Sequence, residues 1–264
     1  MARKKVSESM GLSAPERQDQ LLAYVLKKGR ASVPEIASEF STSPATVRRD
    51  LNDLVAEGKV QRVHGGVLAL RNIPPEPPVV QRASEMRAEK LRIAQAVAQM
   101  IRPGETVFLG SGTTLQEVAR QIAGIPNLTV ITNSLPVMQI LVNVPEMTLI
   151  CLGGVVRATE MSMIGHITEC SLRELRADKV VIGIRSVHPQ HGLTNDYLPE
   201  TMTDRAILKI GTQVIVAADH TKCGRVSTAL VTPIEEVNTL VTDSAVSGEF
   251  VEQMQTAGVN VILA

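Results

Sequence analysis

The chain has 264 residues, of which 44% are hydrophobic, and its 27 basic side chains balance its 27 acidic ones, so two globular domains are expected rather than one. It contains no run of about 18 apolar residues and begins with a polar segment, which argues against a membrane span or a signal peptide and predicts a cytoplasmic protein. The three widely spaced cysteines, Cys151, Cys170 and Cys223, argue against a disulfide framework and a paired-cysteine metal site.

Three helices are predicted at the N-terminus. Two capping boxes, Ser13 to Glu16 and Ser32 to Glu35, each place a hydroxyl three residues before a glutamate, and each is expected to begin a helix. A third helix is expected after the polar turn 41–43 and should end near Gly58. Three short helices around a tight turn predict a helix-turn-helix.

The third helix has an apolar face and a polar face. Val47, Leu51 and Leu54 share one side and should pack inward, so the opposite side is free to enter a DNA groove. Arginine can pair with guanine, and threonine can contact a thymine methyl group or a phosphate. Residues 59–68 alternate around a Gly-Gly turn and predict a two-stranded wing. The candidate DNA-binding residues are Thr42, Ser43, Ala45, Thr46, Arg48, Arg49, Asn52, Arg62, His64 and Gly65.

These segments carry a family resemblance. Residues 44–51, with the sequence Pro-Ala-Thr-Val-Arg-Arg-Asp-Leu, and residues 57–66, which end in His-Gly-Gly, resemble the DNA-binding signature of the DeoR family. The alternative is that Arg48 and Arg49 form only a solvated helix face. Because the cap, the turn, the helix and the wing follow in the expected order, the DNA-binding interpretation is favoured.

A proline cluster at 74–78 separates this module from the rest of the chain. It cannot sustain a helix or a central strand and favours an extended, semi-rigid conformation. We therefore predict a DNA-binding domain at 1–72, a linker at 73–83 and a second domain at 84–264. Residues 1–72 carry 12 basic and 8 acidic side chains against 15 and 19 in the remainder. A mild basic excess suits contact with a polyanion, although it can also arise by chance.

The second domain repeats a pattern of short apolar strand, polar turn and amphipathic helix. This alternation predicts an α/β fold with a doubly wound, largely parallel sheet, whose ligands bind at the carboxyl ends of the strands. The predicted strands are Thr106–Leu109, Leu128–Ile131, Thr148–Leu152, Lys179–Ile184, Gln213–Ala217, Thr239–Val241 and Asn260–Leu263.

The first strand end, residues 110–114, reads Gly-Ser-Gly-Thr-Thr and leads directly into a helix. Glycine amides, hydroxyl groups and the helix N-terminus suit a phosphate, although an ordinary strand-to-helix turn is the alternative. Other strand ends add polar groups at residues 133–134, 153–154 and 219–222. The candidate effector-binding residues are Gly110, Ser111, Gly112, Thr113, Thr114, Asn133, Ser134, Gly153, Gly154, Arg185, Asp219 and Lys222.

These segments resemble the C-terminal sensor of DeoR regulators, which is similar to ribose-5-phosphate isomerase. The resemblance implies that the loop 110–114 holds a sugar phosphate, that Lys222 neutralises charge or bonds a sugar oxygen, and that Asp219 orients Lys222 or accepts a hydroxyl. Arg185 stands where the family is expected to have a small residue, so it either recognises a second acidic group or is a surface charge. Further possible contacts are Arg157, Asn195, Glu200 and Arg205, whereas His188 and His191 are interpreted as solvated loop histidines.

We therefore expect a DNA-binding transcription regulator, by family expectation a repressor of carbohydrate metabolism genes, that responds to a phosphorylated sugar. We expect no enzyme activity, cofactor or metal, and we expect a homodimer or homotetramer on double-stranded operator DNA. One alternative is a sugar-phosphate isomerase with a DNA-binding appendage. Isomerisation needs a carboxylate base, and residues 185–190 at the comparable strand end contain none. A DNA-binding protein without a small ligand is the other alternative.

Overall fold

The structure is a computed structural model that describes five stretches of the chain. The chain divides into two compact units, residues 1–74 and 75–264. The described stretches are 14–28, 30–56, 59–63, 65–69 and 77–264.

The first unit contains the three predicted helices, α1 (Ala14–Lys28), α2 (Val33–Glu39) and α3 (Pro44–Ala56). The second capping box is confirmed, because the Ser32 hydroxyl accepts from the Glu35 amide and the Glu35 carboxylate accepts from the Ser32 amide, both at 3.3 Å. Ser13 of the first box lies outside the described residues. The prediction that Val47, Leu51 and Leu54 point inward is also confirmed, since each is at most 1% exposed.

The predicted wing is a hairpin of β2 (Val60–Val63) and β3 (Gly66–Ala69). A third strand that the sequence did not predict, β1 (Arg30–Ser32), pairs antiparallel with β3. The pairing is close at Gly66, where an added Cβ would lie 2.2 Å from the carbonyl oxygen of Ala31. The second glycine of the Gly-Gly turn is therefore required by the approach of β1.

The second unit is built on a seven-stranded sheet in which every neighbouring pair is parallel, in the order β15-β14-β12-β9-β4-β5-β6. The strands are β4 (Thr106–Leu109), β5 (Thr129–Thr132), β6 (Thr148–Cys151), β7 (Val155–Arg157), β8 (Ser162–Ile164), β9 (Ala177–Ile182), β10 (Ser186–His188), β11 (Gly192–Asn195), β12 (Gly211–Ala217), β13 (Ala229–Thr232), β14 (Thr239–Thr242) and β15 (Asn260–Leu263).

Helices cover both faces of this sheet, so the doubly wound prediction is confirmed. One apolar cluster includes side chains of the helices before and after β4 and after β5, and the other includes side chains of the last three helices. The helices are α4 (Val79–Arg82), α5 (Arg87–Ala98), α6 (Thr113–Ile122), α7 (Leu135–Leu141), α8 (His166–Arg173), α9 (Leu198–Leu208) and α10 (Gly248–Thr256). The end of the segment predicted as a linker, 73–83, is thus helical and lies in the second unit.

Two small antiparallel sheets were not predicted. Strands β10, β11 and β13 form one, and β7 and β8 form the other. The expectation of loop histidines was wrong for His188, which ends β10. His191 lies in the turn after it, and both residues are half-buried, with ring centroids 4.7 Å apart.

Candidate functional site

The first candidate site is the outer surface of α3. Ala45, Arg48, Arg49 and Asn52 are exposed, as the helical spacing predicted. In the wing, Arg62 and Gly65 are exposed, and His64 lies outside the described residues. These positions remain predicted DNA contacts.

The turn before α3 has a capping role. The Ser43 hydroxyl accepts from the Thr46 amide at 3.1 Å and lies 2.9 Å from the Thr46 hydroxyl. Ser43 is exposed, and Thr42 and Thr46 are half-buried. Because the hydroxyls of Ser43 and Thr46 already contact each other, they fix the start of α3 whether or not they also reach DNA.

Asp50 is a structural residue on the inward side of α3 that the sequence analysis left without a role. Its carboxylate is 2% exposed and accepts from Arg17 of α1 through Nε at 2.7 Å and Nη2 at 3.0 Å. This bidentate pair fixes α3 against α1. The signal was present in the sequence, because Asp50 lies three residues after Val47 on the inward side and a charge there requires a partner.

We expect Arg49→Ala to weaken operator binding by about 1 to 3 kcal/mol, because a guanidinium that reads a base contributes about that much discrimination. An electrophoretic shift assay over a range of salt concentrations measures the affinity. The exposed Arg173→Ala is the matched control. Unchanged operator affinity in the Arg49 variant would remove Arg49 from the reading face.

The second candidate site is a cavity of about 210 Å³ at the carboxyl ends of β4, β9 and β12. The structure brings together there seven of the twelve predicted effector-binding residues, which are Ser111, Gly112, Thr113, Thr114, Arg185, Asp219 and Lys222. The effector itself remains a prediction.

The loop at the end of β4 suits an anion by its backbone. The amide of Gly110 donates to the carbonyl of Val181 at 3.0 Å, which ties the loop to β9. Gly112 has φ +112° and ψ 160°, a conformation that is essentially restricted to glycine, and α6 begins at the next residue without a side-chain cap. The first amides and the positive end of the dipole of α6 can therefore receive a phosphate.

Arg185 and Asp219 line the cavity with protein partners of their own. The Arg185 guanidinium pairs with Asp196 at 2.8 Å, and its side chain is only 9% exposed. The surface-charge interpretation of Arg185 was therefore wrong. Asp219 is 4% exposed and accepts from the amide of Thr221 at 3.0 Å and from its hydroxyl, so it orders the turn that carries Lys222.

Helix α9 brings two carboxylates to the cavity, Glu200 and Asp204. Glu200 pairs with Arg157, and Asp204 accepts from Asn195 Nδ2 at 2.5 Å. Burial raises the pKa of the Asp204 carboxyl well above its usual range, and the charge of Glu200 raises it further. The lack of an acid in residues 185–190 therefore does not leave the cavity without carboxylates.

We expect the second unit to lose stability as the pH rises through the folded-state pKa of Asp204. An acid whose pKa is raised by folding stabilises the fold while it is protonated, fully so below its unfolded pKa. In Asp204→Asn, the free energy of unfolding of the second unit should depend less on pH over this range, as measured by urea unfolding between about pH 4 and pH 8. Glu174→Gln, at an exposed position of the same unit, is the control. A profile equal to that of the wild type would contradict the assignment to Asp204.

The other five predicted effector-binding residues do not line the cavity. Gly110 directly follows β4, and its amide is bonded to β9. Asn133 Nδ2 donates to the Met163 carbonyl at 2.9 Å, and the Ser134 hydroxyl caps α7. The Gly153 carbonyl accepts from Thr168 at 2.7 Å, and a Cβ on Gly154 would lie 2.1 Å from the Thr168 hydroxyl. These contacts join Asn133 to β8, Ser134 to α7, and Gly153 and Gly154 to α8, and effector binding by these four residues stays a prediction.

The sequence analysis missed several residues of the cavity, because they come from elements distant in sequence. Of the four further possible contacts, Asn195 and Glu200 line it, and Arg157 and Arg205 do not. The missed charged residues are Arg82, Glu85, Lys90, Glu160 and Asp204.

Among the described residues, no helix is both long and apolar enough to cross a membrane. In the same part of the chain, no group of three or more His, Cys, Asp or Glu side chains could hold a metal ion.

Two family models match the chain. One, the DeoR-like helix-turn-helix domain, matches residues 17–72, and the other, the DeoR C terminal sensor domain, matches residues 85–244. The first match lies in the first compact unit and the second match lies in the second unit.

Curated relatives match over most of their length. The chain is 34% identical to the transcriptional repressor AccR of Agrobacterium fabrum, over 88% of this chain and 90% of that protein. It is 32% identical to the glycerol-3-phosphate regulon repressor of Escherichia coli, over 87% of this chain and 90% of that repressor. It is 28% identical to the transcriptional regulator GolR of Listeria innocua, over 94% and 98%.

Solved structures give a weaker likeness. Ribose 5-phosphate isomerase A of Methanocaldococcus jannaschii is 16% identical, with a TM-score of 0.39 over 53% of this chain and 55% of that chain. A likeness at this level carries no argument about function. The relation of this chain to known proteins therefore rests on the family models and the curated relatives.

Proposed function

This chain belongs to the DeoR family of transcription regulators, and on that premise we propose that it is a repressor of carbohydrate metabolism genes, controlled by a phosphorylated sugar. Residues 1–72 bind operator DNA and 84–264 bind the effector. The segment 73–83 connects the two domains, and its helical end, Val79–Arg82, belongs to the second unit. The protein works in the cytoplasm, where its operator is, and it is not an enzyme.

The cavity of the second unit is the observation that carries this proposal. It lies at the carboxyl ends of parallel strands, where ligands of such sheets bind. One wall is the uncapped start of α6 with the hydroxyls of Ser111, Thr113 and Thr114, and another wall carries Lys222. This arrangement favours a ligand with two kinds of group. Its dianionic group would lie at the start of α6, and its hydroxyl groups would face the carboxylates of α9.

The test uses the full chain and a panel of pentose, hexose and glycerol phosphates with their unphosphorylated counterparts. A ligand that binds only the folded state raises the melting temperature. We expect at least one sugar phosphate to raise it and to release a labelled operator fragment, whereas the matching free sugar does neither. If no phosphate raises the melting temperature, a DNA-binding protein without a small ligand is favoured instead.

An isomerase is the second candidate, because Glu200 and Asp204 bring carboxylates to the cavity. A carboxylate of raised pKa is the kind of group that moves a proton between adjacent carbons. Incubation with aldose and ketose phosphates should give no isomer above the background of a no-protein sample. Sustained turnover that is lost in Asp204→Asn would overturn the non-enzyme part of the proposal.

Self-association is the remaining part of the proposal. A winged helix-turn-helix reads a short half-site, and paired half-sites about one helical turn apart require a second copy. We expect a homodimer or homotetramer with closed symmetry. Light scattering coupled to size exclusion measures the mass, and a monomer at the concentration that saturates the operator would contradict it.

A further inference from the structure

The segment that follows the first unit along the chain is a wall of the effector cavity. Residues 77–86 contain α4, and Arg82, Glu85 and Met86 line the cavity. The segment is attached to the rest of the second unit at its start, where the amide of Val79 donates to the Thr159 carbonyl at 2.7 Å.

A buried ion pair holds the middle of the segment. Arg82 Nη2 lies 2.5 Å and 2.6 Å from the two carboxylate oxygens of Glu160, and Arg82 Nε donates to the Pro77 carbonyl at 2.8 Å. Both charged side chains are about a tenth exposed. Glu160 also lines the cavity, so this anchor lies within reach of a bound ligand.

Lys90 holds the end of the segment from α5. The residue is 5% exposed, and its ammonium donates to the carbonyl oxygens of Arg82 at 2.8 Å and Glu85 at 2.5 Å. Both acceptors are uncharged. Between them and α5, Met86 has φ +47°, a left-handed conformation that is unfavourable for a methionine. Lys90 therefore stabilises a strained turn.

The surroundings of Lys90 favour an anion. Burial lowers the pKa of its ammonium. The charges of Asp219 and Glu85 raise that pKa and those of Arg82 and Lys222 lower it, and all four side chains belong to residues of the cavity wall. Neutral carbonyl oxygens compensate a buried positive charge only in part. The bonds from the ammonium to these carbonyls are assisted by one charge, whereas a bond to a phosphate would join two opposite charges.

We propose that Lys90 binds the phosphate of the effector and thereby releases the segment 77–86, so that one side chain both senses the ligand and controls the connection to the DNA-binding unit. This inference rests on the proposed function, because it needs a phosphate in the cavity. The ligand shifts the equilibrium because Lys90 contacts the phosphate in one arrangement and the segment in the other.

The test is hydrogen exchange on the full chain, with inorganic phosphate as the probe and chloride at equal ionic strength as the reference. Phosphate should slow exchange in residues 110–116, where it binds, and speed exchange in residues 79–85. The two exchange rates must change in opposite directions, because ligand binding that merely stabilises the unit would slow exchange in both segments. No change or slower exchange in residues 79–85 would overturn the proposal.

Lys90→Met tests the same point by affinity. We expect phosphate to bind at least tenfold more weakly, measured by calorimetry, and residues 79–85 to exchange rapidly without ligand. Lys209→Met, at an exposed position on the same unit, should match the wild type. If Lys90→Met fails to fold, the same two measurements are made on Lys90→Gln. Wild-type phosphate affinity in the Lys90 variant would overturn the inference alone, whereas a wild-type protein that binds no phosphate would overturn the proposed function as well.

Discussion

Arg17→Met should destabilise the first unit selectively and weaken operator binding strongly. The substitution leaves the Asp50 carboxylate, which is 2% exposed, without the guanidinium that contacts it at 2.7 Å and 3.0 Å. Leaving a buried acceptor without its partner costs about 1 to 3 kcal/mol, a large fraction of the stability of a small domain. Since Asp50 lies on α3, loss of the ion pair also removes the contact that orients the reading helix.

Tyrosine fluorescence can report this unit alone. The chain has no tryptophan and two tyrosines, Tyr24 in α1 and Tyr197 in the second unit. In a Tyr197→Phe background, urea unfolding followed by Tyr24 should show a lower midpoint for Arg17→Met, while sugar-phosphate binding by the second unit persists.

Two further variants separate the ion pair from general damage. Gln18 and Asp53 join the same two helices at an exposed position, 2.9 Å apart, so Gln18→Met should leave the midpoint nearly unchanged. Arg17→Met combined with Asp50→Leu should recover stability, because an apolar pair can replace a buried ion pair. An unchanged midpoint in the single Arg17 variant would show that Asp50 does not depend on Arg17.

The main elements of the fold could be predicted because their signals are local. All seven strands of the parallel sheet were predicted with ends within two residues of the observed ones, since each is an apolar run between polar turns. The strands that were missed, β1, β7, β8, β10, β11 and β13, are three or four residues long and pair antiparallel at the margins of the fold. The predicted strands β4, β5, β6, β14 and β15 are as short, but they are apolar runs, whereas most of the missed strands mix polar residues into their few positions, as in Arg30–Ser32 and Ser186–His188.

The site was predictable only in part, for a different reason. That residues 111–114 line the cavity could be predicted because the glycines and hydroxyls of this loop and the following helix are adjacent in sequence. Lys90 and Asp204 are on helices that reach the cavity only through the folded topology, and within each helix they look like ordinary surface charges. Asn133 and Ser134 resembled ligand groups in sequence, but they do not line the cavity: Asn133 donates to the Met163 carbonyl of β8, and Ser134 caps α7.

The phosphate loop gives the other large expected effect. Gly112→Val should abolish effector binding and leave operator binding intact, so that the regulator no longer responds to its sugar phosphate. The valine would have to adopt φ +112° and ψ 160° at the residue before α6, which costs about 1 to 3 kcal/mol of strain. Relief of that strain moves the amides at the start of α6 away from the positions that a phosphate requires. We expect the affinity for the sugar phosphate found by the panel to fall at least a hundredfold.

Gly104→Val is the matched control for backbone strain. Gly104 has φ +81° in the turn before β4, an added Cβ there meets nothing within 4 Å, and the residue does not line the cavity. Both variants should lower the melting temperature of the second unit by a few degrees, but only Gly112→Val should lose the ligand-induced shift. If Gly104→Val lost it as well, general destabilisation rather than the geometry of the loop would account for the result. If Gly112→Val kept it, the phosphate would bind elsewhere in the cavity, whose wall carries four cationic residues, Arg82, Lys90, Arg185 and Lys222.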